Sequence, residues 1–413
     1  MPLRWFVLAS FFAMIFFGLF LPSDGNHGLL SPKSLSFLAS ASCWILSIFL
    51  HRRYSGKNLG LLIVSFSVFA VLLAWIFLGI LYGETPFSSQ FDQFKLFLIT
   101  LIVVAMTLYY VQTDILRPEQ LYRCAIYTNF IYCGAKSLGA LLHVTGLMNI
   151  LTFMQKTGIR FMSMDIHAGV IRLQTSVDIV TPYLLLFVLN SDRLGIHFSK
   201  KFRYIYTTVA LLSILLSFSR YLIVVSWIAL FLYWITAKPL SQLSGGVVAV
   251  FILVMGMSAI GPENAYKVIE KRLFSLDNYY SDQTRVEQVS ALSTEVACYP
   301  LLGKGIGGYA PDCIRDPSFF HSYEVQWVAF TMQLGFVGVA CLLTAFIAIG
   351  WPYFVPPYTM VKMTFGAMYA LWLLSGFTNP FLISLTSGIM YSLFACAALT
   401  LNTRSAYLSQ GQV

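Results

Sequence analysis

The sequence predicts an all-α fold, a polytopic transmembrane helix bundle of about twelve helices, on three observations. Of its 413 residues 58% are hydrophobic and only 10% charged, with a mean hydropathy of +0.75, whereas a soluble domain carries about 25% charged residues. A chain this apolar cannot cover its surface with polar groups, so its outer solvent must be lipid. The apolar residues also come in long uncharged blocks such as Leu61 to Leu81. About 20 such residues cross the hydrocarbon core as a helix, and barrel strands would read instead as alternating segments of about ten. Finally, the basic residues gather in alternate connections between blocks, as insertion into a membrane requires.

In order, Trp5–Leu21 follows Arg4, and Phe20-Leu21-Pro22-Ser23 is a poor cleavage site, so this block reads as a retained helix rather than a signal peptide. Ser34–Leu50 and Leu61–Leu81 flank Arg52, Arg53 and Lys57. Phe94–Tyr110 and Tyr122–Leu142 flank Arg117 and Arg123; Val177–Leu189 and Tyr204–Phe218 flank Arg193, Lys200, Lys201 and Arg203. Tyr221–Thr236 and Gly245–Ile260 flank Lys238; Val325–Ile349 and Met363–Leu374 flank Lys362; Leu382–Leu401 ends before Arg404. These basic connections define the cytoplasmic side, and Arg4 and Arg404 place both termini there. The net charge of +9 is accounted for by this retention, so nucleic acid is not the expected partner.

The opposite side holds Gly83–Gln93, Met148–Ser176 and Gly261–Tyr323. The whole of 1–413 reads as a single integral membrane domain, with 261–323 as its largest loop and no long internal repeat. A loop so long tends to be functional or disordered. Gln283 to Val296 contains no Gly or Pro and places Val286, Val289 and Leu292 or Ser293 near one face, which predicts a short amphipathic helix at the membrane surface. Cys298 and Cys313 share the loop, and their spacing permits a disulfide without requiring one. No Cys/His spacing suits a metal.

Three basic residues on the outer side are candidates for chemistry. Arg220 sits between apolar stretches in Ser219-Arg220-Tyr221, where a charge is expensive and either functional or snorkelling to headgroups. Arg285 is a functional charge or part of a solvated face paired with Asp282 or Glu287. His321 is a candidate proton acceptor, with Glu324 placed to orient it, or else a wet interfacial residue. The Gly303 to Gly308 run follows no strand, so it is not a nucleotide fingerprint; it reads as a tight turn whose N–H groups remain open to a phosphate. Lys136, inside the fifth helix, is an exception to the gathering of charges on one side.

The order of these features resembles the O-antigen ligase and O-antigen polymerase superfamily of bacterial membrane glycosyltransferases. Ser219-Arg220 matches the family's Ser/Thr-Arg pair opening a helix. Arg285, then Tyr299-Pro300 and the Gly303 to Gly308 turn, matches its periplasmic helix, and His321 with Gly335-Phe336-Val337-Gly338 matches the final motif. The match spans roughly Leu211 to Leu401. Ser322 stands where the family often has Asn.

The resemblance implies a polyprenyl-dependent (GT-C-like) architecture in the bacterial inner membrane with a periplasmic active site. It implies an undecaprenyl-diphosphate-linked glycan donor, a glycan or lipid A-core acceptor, and neither cofactor nor metal. Arg220 and Arg285 are then expected on the diphosphate and His321 on the acceptor hydroxyl. Arg172, Arg160 and Lys156 in the earlier outer loop, with Glu324, are expected substrate contacts. A polymerase is the first expectation and a ligase the alternative; a lipid-linked-glycan transporter or flippase is the reading from a different class.

Overall fold

The computed structural model describes residues 2–22, 30–50, 56–82, 85–157, 162–167, 170–236, 276–316 and 319–409. Its elements are α1 (Pro2–Phe20), α2 (Pro32–Leu50), α3 (Gly56–Tyr82), α4 (Phe87–Gln112), α5 (Pro118–Val144), α6 (Ile150–Thr157), β1 (Met162–His167), β2 (Val170–Gln174), α7 (Thr181–Leu189), α8 (Lys200–Ser217), α9 (Arg220–Thr236), α10 (Leu276–Cys298), α11 (Gln326–Gly350), α12 (Met360–Leu374) and α13 (Leu385–Ser409). Helices stand at each expected position that is described; the one expected at 245–260, like Lys238 beside it, lies outside the described residues.

Among the described residues six helical segments are long and apolar enough to cross a membrane: Pro32–Leu50, Ile63–Tyr82, Phe87–Gln112, Gln326–Phe354, Met360–Phe377 and Leu385–Thr403. Arg4–Phe20, Ser176–Leu189 and Arg220–Thr236 are apolar but shorter. The protein is thus a helical, multi-pass membrane protein. Helix α5, which carries Glu119, Arg123 and Lys136, and α8, which opens on Lys200, Lys201 and Arg203, are not among the six segments.

The chain forms two compact units, each built from two stretches of sequence. The first comprises Met1–Leu50 with Ile115–Ser275, the second His51–Asp114 with Leu276–Val413. In the first unit α1 packs on α2 and α5, and α7 lies among α5, α8 and α9. The buried positions of α2 are Ser36, Ser40, Cys43 and Ser47; small residues on one helical stripe let neighbouring backbones approach in lipid. Strands β1 and β2 pair antiparallel, which the helical expectation did not contain.

A buried charge pair fastens the first unit. Lys136 Nζ on α5 donates to Asp178 Oδ1 at 2.7 Å, to the Ser213 carbonyl at 2.9 Å and to Ser217 Oγ at 2.7 Å. Asp178, just before α7, also accepts from Tyr132 OH at 3.0 Å and, through Oδ2, from Thr175 N at 2.7 Å. Three ammonium protons meet three acceptors, which is the condition for keeping a charge away from water.

In the second unit α13 lies deepest, with 83% of its apolar stretch buried, whereas only 17% of the α3 stretch is. Ile63, Val64, Phe66, Phe77, Ile80 and Leu81 on α3 are exposed, as a lipid-facing helix requires. The Thr100 hydroxyl on α4 both donates to the Ser384 carbonyl and accepts from Ser384 N, fixing the start of α13. Helix α11 breaks at Gly335, where φ is 64° and ψ 179°.

Two stability predictions follow from these contacts. Lys136→Met leaves Asp178 buried and uncompensated and is expected to cost about 3–5 kcal/mol, read as a fall in melting temperature in detergent. The double replacement Lys136→Met/Asp178→Leu should recover most of that loss; additive losses would show that the pair does not act as a unit. Gly335→Ala should destabilise by more than the roughly 1–2 kcal/mol of a left-handed Cβ, because that Cβ would also run into the Leu301 carbonyl.

Candidate functional site

The site of the second unit is organised by the α11 break. Beyond Gly335 the helical partners of several backbone groups are lost, and residues 300–306 supply replacements. Phe336 N donates to the Pro300 carbonyl at 2.9 Å and Val337 N to Leu301 at 3.1 Å. In return, Lys304 N donates to Met332 O at 2.8 Å and Gly305 N to Gln333 O at 2.9 Å. Trp75 Nε1, from α3, donates to the Leu334 and Leu302 carbonyls at 2.9 and 2.8 Å, and Trp75 O accepts from Ile306 N. Close backbone contact on both sides demands glycine: a Cβ on Gly303, at φ 71°, would strike the Gly335 amide and the Gln333 carbonyl.

Two glutamines complete the bracket. Gln93 Nε2 on α4 donates to Gln333 Oε1 at 2.6 Å, and Gln93 Oε1 accepts from Gly307 N. Gln333 Nε2 donates to the Gly308 carbonyl at 2.9 Å. The N–H groups of Gly303, Lys304, Gly305, Ile306, Gly307 and Gly308 therefore all have protein partners. The expectation that this turn offers N–H groups to a phosphate is corrected: it is an internal clasp. Lys304 also ties the turn to α10 through Glu295 at 2.8 Å.

His321 is buried in the connection that leads into α11. Its Nδ1 lies 3.3 Å from Ser89 Oγ on the first turn of α4, and that hydroxyl donates to the Gly307 carbonyl at 2.9 Å. A carbonyl can only accept, so the single Ser89 proton is committed to Gly307. Both contacts are satisfied together when Nδ1 carries the imidazole proton and donates to Ser89 Oγ. The basic lone pair is then on Nε2. Burial pushes the imidazole below its ordinary value; Asp92 opposes that shift, Lys95 adds to it, and Asp316 opposes it. A neutral imidazole with a fixed tautomer is the form that accepts a proton.

Glu324 does not orient this ring as expected. Its carboxylate is divided between two guanidiniums: Oε2 accepts from Arg285 Nε at 2.9 Å and Oε1 from Arg315 NH2 at 3.0 Å. Arg285 also pairs with Asp282 at 3.0 Å. Glu324 N donates to Oε1 of the fully buried Gln288 at 3.0 Å. Among the described side chains of α10, Gln288 and Leu292 are buried, while Val286 and Val289 are exposed, so Leu292 does not share the open face of the two valines. Leu292 packs instead with Ala310, Tyr323, Val325, Ala329 and Met332.

The remaining loop groups are structural. Burial pushes the Tyr323 phenol up to about 12, and its oxygen accepts from Ala310 N at 2.9 Å. Cys298 and Cys313 are both free thiols, and burial, then Glu287, raises the Cys313 thiol. An open hollow of about 480 Å³ is lined by Glu295, Cys298, Tyr299, Lys304, Tyr309 and Pro311. Tyr309 stacks obliquely on Phe320 at 5.2 Å, the residue preceding His321.

The first unit holds the other expected residues. Arg220 is exposed at the start of α9, after Phe218 turns the chain at φ 46°. Arg172 on β2 donates through Nε to the Ser217 carbonyl at 3.2 Å, and through NH2 to Gln174. Lys156 is exposed at the end of α6. Arg160 lies outside the described residues. Ser89, Gln93, Arg315 and Gln333 were not singled out from sequence. Gln333, inside the apolar block 325–349, was a usable signal; nothing local marks Ser89, Gln93 or Arg315.

No family model matches the chain, and no curated protein matches it. Among the described residues no cluster of His, Cys, Asp and Glu could hold a metal ion. Fold and geometry define a multi-pass helical membrane protein with an anchored histidine and a two-arginine carboxylate clamp in one unit.

The tautomer assignment predicts that 15N spectra of the protein show Nε2 of His321 as the unprotonated nitrogen, and that Ser89→Ala scrambles that preference. The ring should titrate below about 6.5, its ordinary value. Because the unfolded imidazole then takes up its proton first as pH falls, stability is lost below about pH 6.5, and the loss is complete beneath the folded value. His321→Gln should flatten this part of the stability profile.

Proposed function

We propose that the protein is a membrane glycosyltransferase that moves a glycan from an undecaprenyl-diphosphate donor to an acceptor hydroxyl. The observation that carries this reading is the His321 anchorage. A buried imidazole with its tautomer set by Ser89 has a basic Nε2, and it sits three residues from a carboxylate that holds Arg285. A base in the connection before α11, and an anion-binding charge on α10 held by a carboxylate of that connection, are what displacement from a lipid diphosphate needs.

In this reaction the acceptor oxygen attacks the anomeric carbon while the carbon–oxygen bond to the diphosphate breaks, so configuration inverts. The hydroxyl proton passes to His321 Nε2. The departing electron pair stays on the diphosphate, whose charge Arg285 stabilises through charge-assisted hydrogen bonds. Arg220, an exposed guanidinium at the head of α9, is the second charge assigned to phosphate. Arg172, Arg160 and Lys156 are assigned to the glycan. The reading needs no cofactor and no metal. It places the reaction on the periplasmic face of a bacterial inner membrane, in a bundle of about twelve GT-C-like helices with cytoplasmic termini.

Chain extension by a polymerase is preferred over ligation to lipid A-core, and the size of the product separates them. The break in α11 favours a lipid-linked-glycan transporter as a second reading, because broken helices line transporter sites. Against it, the backbone groups at the break are paired with residues 300–305 and Trp75, and Lys136 spends its three protons within the first unit.

Purified protein in nanodiscs, given an undecaprenyl-diphosphate glycan and an acceptor, should transfer the glycan. His321→Ala should slow transfer by about 10²–10⁴-fold, and Arg285→Ala by about 10²–10³-fold. Full transfer by folded His321→Ala would sink the assignment. Arg220→Lys keeps the charge but loses the planar fork and should be impaired; wild-type rates would make Arg220 a point charge or an anchor.

A further inference from the structure

Arg315 enters no part of the mechanism above, yet it shares a carboxylate with Arg285. The two guanidiniums come from separate segments, Arg285 from the middle of α10 and Arg315 from the loop before α11. Each takes one oxygen of Glu324, at 2.9 and 3.0 Å. A guanidinium binds carboxylate and phosphate in the same planar geometry. A carboxylate bridging two arginines therefore occupies the place of a bridging phosphate.

We infer that Arg285 and Arg315 form one diphosphate cradle, that Glu324 closes it when empty, and that the incoming diphosphate displaces the Glu324 carboxylate. This assignment rests on the transferase reading for the identity of the natural ligand.

Three features make the exchange feasible. The side chains remain reachable: Arg285 is 29% exposed, Arg315 27% and Glu324 19%. Ion pairs this open to water are individually weak, so breaking two of them is cheap. The Glu324 backbone does not need to move, because its N–H is held by the fully buried Gln288. Charge also favours exchange. Asp282 and Glu324 balance the two arginines in the closed clamp. A diphosphate brings more charge and more acceptor oxygens than one carboxylate. Glu324 is then a competitor for the cradle, and the clamp keeps the guanidiniums splayed at a fixed separation until the donor arrives.

The test is binding of inorganic diphosphate to the purified full-length protein in detergent by calorimetry, with melting curves recorded for each variant. Wild type should bind diphosphate more tightly than orthophosphate. Arg315→Ala should weaken diphosphate binding about tenfold, the scale of one lost hydrogen bond to a charged group. Arg315→Lys, which preserves charge if the alanine variant unfolds, should fall between. Glu324→Gln should bind diphosphate several-fold more tightly, a gain that a purely structural bridge would not give. Unchanged affinity in Arg315→Ala and Arg315→Lys, weaker binding by Glu324→Gln, or no binding by wild type overturns the cradle. Transfer assays keep the two claims apart. Diphosphate binding with this pattern but no glycan transfer by wild type sinks the transferase reading and leaves the cradle. Transfer by Arg315→Ala with wild-type KM for the donor sinks the cradle and leaves the transferase.

Discussion

A helix that breaks inside an apolar environment must find new partners for every backbone group it frees, because each orphan costs several kcal/mol away from water. Helix α11 breaks at Gly335 and frees the carbonyls of Met332, Gln333 and Leu334 and the amides of Phe336 and Val337. The chain answers with a second irregular segment, residues 300–305, and with the indole of Trp75. Once that exchange is made, much of the second unit is determined. The glycines at 303 and 335 follow from backbone packed on backbone. The Gly307 carbonyl reaches Ser89, and Ser89 holds His321. His321 is thus positioned by a structural necessity two steps removed from it.

The first unit solves the same problem with charges instead of backbone. Lys136 is tolerable because Asp178, Ser213 and Ser217 take all three of its protons. The pair ties α5 to the turn before α7 and to the end of α8, immediately ahead of Arg220. Both units therefore use buried polar groups to fix irregular connections as well as to join helices, as Lys136 joins α5 to α8 and Gln93 joins α4 to α11.

Helix positions were legible because lipid demands long uniform apolar blocks, and few other structures read that way. Boundaries were less so. Helix α4 starts at Phe87 rather than Phe94, since Gln90 and Gln93 are buried polar residues that look like loop in sequence. Residues 283–296 are helical as expected, and Val286 and Val289 are exposed, but Leu292 is buried beside Gln288 rather than sharing the valines' exposure. Strand β1 alternates apolar and polar residues from Met162 to His167, a signal overlooked in the helical context. Arg285 and His321 drew attention through the order of motifs they belong to, not through their immediate neighbours. Arg315 did not, because its meaning lies in a carboxylate shared with α10, and only the folded chain brings the three together.

Amide hydrogen exchange on peptides covering 300–308 and 332–338 tests the central claim most directly. The clasp predicts that the amides of Lys304, Gly305, Phe336 and Val337 exchange as slowly as the interior of α13, despite lying in a turn and a helix break. Exchange at the rate of an open loop in these four amides, with α13 still protected, would show that the break is not closed by the glycine turn and that His321 is not held from it.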